Sequence, residues 1–452
     1  MTLEEKHSSP ASMTQGPILK QLLFFAGPMI IVGVLQRFYN MADAIAAGQY
    51  LGDTAVAALG VTSSLTDLIL KLFIGLSVGT GAVLAYCFGA NDIKRVHDTV
   101  HTAVAFALIS GIAIGVLGMI FSKTLLTLID TPSELLDSAS TYLRACFLGT
   151  PALMLFNFLS AIMRAMGDTR RPLFYLGISG LLNIFLNWFT VEKLAYDVLG
   201  LGISTTISQY VAVGFMLIYL MRLEGACRLE LRAVRMHSKA FVDILRLGLP
   251  AGIQSIAFSL SNVLIQKAMN SFGSMAIAGN TAAANLGDFM DIATSGIYHT
   301  VLIFVSQNYG ANNWERIRKG IRQSMILCVA CSAILGTISL VFHRPLLGLY
   351  TQEKEALAVG LLRLEIMSIP HIFCGLMDAA SGFLRGLKRS AVPMCTSLIC
   401  VCVVRIIWLY TVFAVWPTLE TMYISYPVTW FIGAVANLVC CKIAIHDELK
   451  KA

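Results

Sequence analysis

Long apolar runs separated by short basic loops constrain this chain more than any other feature. A helix crossing the bilayer core needs about 20 apolar residues, and in lipid its backbone polar groups have no partners but one another. Twelve stretches reach that length, near residues 22–46, 54–87, 98–121, 135–162, 172–191, 200–221, 241–268, 275–308, 321–342, 355–383, 393–415 and 421–445. The sequence therefore reads as an all-α polytopic membrane protein with twelve transmembrane helices. Several stretches are longer than a bilayer requires, which implies tilt or extension into water. Composition agrees, with 57% hydrophobic and 13% charged residues and a mean hydropathy of +0.74; a soluble domain carries charge on roughly a quarter of its residues. The formal charge of +7 comes from short basic clusters between apolar runs. It reads as a topology signal, and no nucleic-acid partner is expected.

The twelve stretches are two sets of six. Gly310 to Arg322, reading GANNWERIRKGIR, repeats GANDIKRVHDTVH from Gly89 to His101 at an offset of 221 residues. The same offset pairs Gly52 with Gly273, Phe121, Leu125, Leu126, Leu128 and Glu134 with Phe342, Leu346, Leu347, Leu349 and Glu355, and Arg164 and Pro172 with Arg385 and Pro393. Such a register over separated segments marks a duplication. Lys and Arg concentrate after spans 2, 4, 6, 8 and 10, for example at Lys94 and Arg95, Arg170 and Arg171, and Arg385, Lys388 and Arg389. Those loops, and both termini, are expected on the cytoplasmic side. Six spans separate the two GAN motifs, so the repeats are parallel, related by an axis along the membrane normal.

The expected organisation is a disordered cytoplasmic tail at 1–19, a six-helix lobe at 20–221, a basic cytoplasmic linker at 222–240, a second six-helix lobe at 241–446 and a short tail at 447–452. The first residues lack the basic start, apolar stretch and cleavage site of a signal peptide. Cys328 and Cys331 have CxxC spacing but sit inside an apolar span without a second CxxC or paired His, so they read as small buried hydrophobes. Pro and Gly recur where helices bend or begin, Gly27 and Pro28 matching Gly248 and Pro250, and Pro151 matching Pro370.

These residues resemble the MATE (multidrug and toxic compound extrusion) transporters of the MOP flippase/exporter superfamily. The resemblance is carried by Gln307-Asn308-Tyr309-Gly310-Ala311 with Arg316 after span 8, Leu384-Arg385-Gly386 after span 10, Gly248-Leu249-Pro250 entering span 7, and Gly200 through Ser208-Gln209 in span 6. It implies two six-helix lobes, a central V-shaped cavity, no cofactor, and alternating access in which inward H+ or Na+ drives export of an organic, often cationic, solute. The pattern is closer to the DinF-like than to the NorM-like members.

Ionisable side chains inside spans cost about 2.5–3.5 kcal/mol each at the bilayer centre, which makes each a functional candidate. Asp43 lies in span 1, Asn183 and Asn187 lie one helical turn apart in span 5, and Thr205 lies in span 6. A carboxylate among amide and hydroxyl oxygens suits a hard cation such as Na+, or titrates instead. The resemblance assigns these four positions to the N-lobe ion site of the DNA-damage-inducible and archaeal members, with Asn187 standing where a second Asp is usual. The missing charge points to H+ rather than Na+. In the second lobe, Asp288 and Asp291 share a helix face with no nearby cation in sequence, Asp378 lies in span 10, and Arg405 in span 11 is a partner for Asp378 or Asp288. Asp67 and Lys71 in span 2 are spaced for an internal ion pair. The Glu that NorM-type relatives carry in span 7 falls nearest Phe258 here, so that ion site does not transfer. No HExxH or Walker A motif is present.

The expected function is a monomeric antiporter in the plasma (inner) membrane that exports organic cations or drugs in exchange for H+ or Na+, and not an enzyme. The alternatives are a lipid-linked flippase of the same superfamily, for which Arg37, Lys71 and Arg405 would read a charged head group, and a membrane-embedded enzyme.

Overall fold

The computed structural model describes residues 13–129, 131–194 and 196–450. Among them the chain is helical, without strands. Eleven helices are long and apolar enough to cross a membrane, and twelve if the pair Lys354–Met367 and His371–Gly386, bent by 53°, forms one span. We number the helices α1 (Ile18–Ala46), α2 (Asp53–Gly89), α3 (Ile93–Leu128), α4 (Ser133–Ala165), α5 (Arg170–Trp188), α6 (Val198–Arg222), α7 (Ser238–Asn270), α8 (Ser274–Gly310), α9 (Trp314–Val341), α10 (His343–Gly348), α11 (Lys354–Met367), α12 (His371–Gly386), α13 (Ala391–Ser397), α14 (Val404–Tyr410), α15 (Val412–Val415) and α16 (Leu419–Leu449). Three short π-helical turns, Ala47–Leu51, Phe189–Lys193 and Leu398–Val403, interrupt them.

The duplication is visible in the turns. Helices α2 and α8 are both 37 residues long and both begin after a glycine of positive φ, Gly52 at 84° and Gly273 at 89°. Each ends in the GAN motif, where Asn91 and Asn312 both stand at φ 55°, a conformation that Asn tolerates better than most residues. Asn91 N–H donates to the Phe88 carbonyl and Asp92 N–H to that of Cys87, as Asn312 and Asn313 do to Tyr309 and Asn308. This satisfies the last carbonyls of the outgoing helix. The next residue then caps the incoming helix: the side chain of Asp92 accepts from Arg95 N–H, and that of Asn313 from Arg316 N–H. One motif thus turns the chain sharply between two long helices, twice.

The described residues form two compact units, residues 31–249, and residues 13–30 with 250–450. The division falls inside α1 and inside α7, near Pro28 and Pro250. The motif arginines account for it. Arg95 pairs with Asp243 near the start of α7 at 2.7 Å, inside the first unit. In the second unit Arg316 donates to the carbonyls of Met13, Gln15 and Gly16, just before α1. Each repeat's motif grips the entry to the other repeat's first helix. The tail expected to be disordered over 1–19 lies outside the described residues as far as residue 12. From Met13 it is docked, because Arg316 and the side chain of Gln307, which accepts from Met13 N–H at 2.8 Å, satisfy its backbone.

In the first unit α4 packs against α2, α3 and α6, and its buried face runs from Ala139 to Ala165. Small residues let the backbones meet: a Cβ on Gly111 would fall 2.7 Å from Pro151 Cα. In the second unit α12 packs against α8, α9 and α16, and a Cβ on Gly382 would fall 2.7 Å from the Tyr298 carbonyl oxygen. Pro151 is absorbed within continuous α4, whereas Pro370 stands at the break between α11 and α12, where proline's missing N–H leaves the ladder open. The linker is pinned to α3 by Glu230 N–H donating to His101 and His237 N–H donating to Thr102, both at 3.0 Å.

Candidate functional site

The sequence sets four polar residues on α1, α5 and α6, and in the first unit their side chains meet. Asp43 is 6% exposed, and Asn183 and Asn187 are fully enclosed. Asp43 Oδ1 accepts from Asn187 Nδ2 at 2.7 Å and from Asn183 Nδ2 at 3.2 Å, and its Oδ2 accepts from the Thr205 hydroxyl at 2.7 Å. Asn183 also reaches the Thr205 hydroxyl at 3.1 Å. Spacing of four on α5 puts both amides on one face, and Tyr39, one turn before Asp43, fixes α6 by donating to the Thr205 carbonyl at 3.2 Å. Sequence reasoning passed over Tyr39, although its position four residues before a buried acid was a usable signal.

Two features give this cluster chemical capacity. It holds one carboxylate ringed by neutral donors, and it leaves one buried acceptor, Asn187 Oδ1, without a hydrogen-bond partner. Buried polar atoms seldom lack one. The π turn Ala47–Leu51 begins four residues after Asp43, and the turn Phe189–Lys193 begins two after Asn187. Such turns widen the helix and occur often at functional sites.

The second-lobe candidates sort differently. Asp291, for which the sequence shows no nearby cation, has a ring nitrogen within reach: His371 Nε2 lies 2.8 Å from its Oδ1. His371 is buried, packs edge-on against Trp430, and leaves Nδ1 unpartnered. Ligand atoms of Asp291, His371 and Cys374 lie within 4.8 Å of one another. Asp378 is half-buried and faces Thr294, Asp291, His371 and Arg385. Arg405 is not its partner, nor that of Asp288. Among the described residues its guanidinium contacts Thr429, Asn262 and the Tyr426 ring, because α14 packs toward α16 while Asp378 looks toward α8. Asp288 is half-buried on α8. The Asp67–Lys71 pairing lies outside the described residues at the Asp67 side chain. Phe258 packs against an apolar cluster with Cys374, Met377, Val401 and Trp430, so no carboxylate stands there.

A family model described as MatE matches residues 28–189 and again residues 250–411, once per repeat. The chain is 26% identical over 390 residues to the probable multidrug resistance protein YoeA of Bacillus subtilis (strain 168), spanning 84% of this chain and 82% of that one. It is 27% identical over 372 residues to the probable multidrug resistance protein YpnP of the same organism, spanning 82% and 83%. A solved structure described as the outward-facing conformation of a multidrug resistance MATE family transporter of the MOP superfamily matches with a TM-score of 0.91, over 99% of this chain and 100% of that one, at 20% identity. At that identity the likeness carries the fold.

Proposed function

The chain belongs to the MATE family of membrane transporters, and from that premise we propose that it is a secondary antiporter exporting organic, often cationic, solutes across the plasma membrane in exchange for H+. The names of its relatives support the solute class. The observation that carries the coupling ion is the enclosed Asp43 with only neutral partners.

A carboxylate sealed from water is costly to keep charged without hydrogen bonds, and here two amides and a hydroxyl offset that cost. A proton arriving at Asp43 turns one oxygen into a donor. A half-turn of the Asn187 amide then presents its unpartnered oxygen, so the neutral state is satisfied without another group moving. The fit for Na+ is poorer, because the nitrogen ends of both amides face the carboxylate and one carboxylate is all the charge the cluster brings. Deprotonated Asp43 favours the state that receives a cationic solute; protonation removes the charge and lets α1, α5 and α6 close, with the adjacent π turns as hinges. Both termini face the cytoplasm in this reading, and the working unit is a monomer.

The test is purified protein in liposomes with pH and Na+ gradients imposed separately. Uphill movement of a cationic dye should follow the pH gradient and persist without Na+. Movement that requires Na+ and ignores pH contradicts the proposal.

A further inference from the structure

The 221-residue offset that superposes the GAN motifs also carries α1, α5 and α6 onto α7, the α13–α14 span and α16. It pairs Ile184 with Arg405, Ser208 with Thr429 and Met41 with Asn262. The second repeat therefore has a buried polar constellation on the same three helices as the Asp43 cluster, with its charge reversed. At its centre is Arg405, 3% exposed. Its Nη2 donates to the Thr429 hydroxyl at 3.0 Å, its Nη1 reaches Asn262 Oδ1 only at 3.5 Å, and its Nε has no partner. No carboxylate among the described residues lies within ion-pair distance of it.

A guanidinium offers five N–H donors in a planar fork, and among the described residues its one close bond goes to a neutral hydroxyl. A charge buried within a membrane-spanning lobe is paired as a rule, and nothing among the described residues supplies the anion. The π turn Leu398–Val403 ends two residues before Arg405, as the other two π turns flank the Asp43 cluster. One face of the fork lies on the Tyr426 ring at 4.2 Å, and Tyr426 stands beside Trp430 with ring centroids 5.7 Å apart. Two aromatic rings beside an under-bonded fork suit the carboxylate of a flat, apolar molecule.

We propose that Arg405, with Asn262, Thr429 and Tyr426, is a recognition site for the carboxylate of an amphiphilic aromatic solute. This rests on the export reading, and the probes separate the two. Rhodamine 110 carries a free carboxylate; rhodamine 123 is its methyl ester and otherwise the same cation. Binding of each to purified protein is read by fluorescence anisotropy, and export of each in proteoliposomes. Arg405→Gln should weaken rhodamine 110 binding at least tenfold and leave rhodamine 123 within twofold. Arg405→Lys, which keeps the charge but loses the fork, should fall between and is the variant to read if Arg405→Gln does not give a monodisperse protein. Acetate should compete with rhodamine 110 on wild type and not on Arg405→Gln. Equal effects on both dyes, or none, overturn the site. Failure of wild type to export either dye while it binds both with the expected selectivity counts against the export reading alone.

Discussion

Replacing Asn187 with Asp puts a second acid into the Asp43 cluster and should turn it into a cation trap. In the wild type Asn187 Nδ2 donates to Asp43 Oδ1 at 2.7 Å. The variant sets oxygen against oxygen with carboxylate centres about 4 Å apart, worth about 4 kcal/mol of repulsion at an effective dielectric of 20. Losing a hydrogen bond to a charged acceptor adds about 1.5–3 kcal/mol. A proton or a sodium ion between the carboxylates relieves most of this, and Na+ at a hundred times its Kd would return about 2.7 kcal/mol. The assay is thermal unfolding of purified protein in detergent at pH 8, with choline exchanged for Na+. Asn187→Asp should melt several degrees below wild type in choline and recover in Na+, while wild type shows no sodium-specific shift. Lowering the pH from 8 to 6 should also stabilise the variant, because its folded state holds a shared proton that the unfolded chain has released. A variant as stable as wild type in choline, and blind to Na+, would mean that residue 187 does not face Asp43.

Asn312→Ala should destabilise by about 1 kcal/mol while Asn312→Gly is near neutral, since φ is 55° there and glycine adopts that region freely; thermal melts of the two variants separate them. Gly111→Leu should cost about 1–3 kcal/mol or more by overpacking, because its Cβ would fall 2.7 Å from Pro151 Cα, and a melt within a degree of wild type refutes that contact. Asp291→Asn removes the charged partner of buried His371 and should cost about 1 kcal/mol, the low end for such a loss, because the Asp291 side chain is 61% exposed; a larger loss would place it in a drier setting. Single cysteines at Lys94 and Arg318, in a background without native cysteines, should both resist an impermeant thiol reagent outside intact cells, and labelling of only one contradicts parallel repeats.

The sequence was most informative where function and fold depend on short-range pattern. Asn91 and Asn312 stand at the same φ, each followed by a capping side chain, and the duplication was legible because this motif shares its 221-residue offset with other separated segments. Asn183 and Asn187 were legible because a spacing of four fixes a helix face. Contacts spanning large separations were not. His371 meets Asp291 across 80 residues, and the bend at Pro370, which aims α12, has no counterpart within α4. Charge invites pairing of Arg405 with Asp378 or Asp288, yet α14 packs against α16 and among the described residues gives it neutral partners. The reciprocal grip of Arg95 on α7 and Arg316 on the segment before α1 joins residues up to about 300 apart, and no local pattern encodes it.

The central claim is that Asp43 carries the coupling proton. Asp43→Asn keeps the size of the side chain, can still bond with Asn183, Asn187 and Thr205, and mimics the protonated state. In proteoliposomes with an imposed pH gradient it should fold and bind a cationic dye yet move it only down its own gradient. If Asp43→Asn exports the dye uphill as fast as wild type under the same pH gradient, Asp43 is structural and the coupling group lies elsewhere.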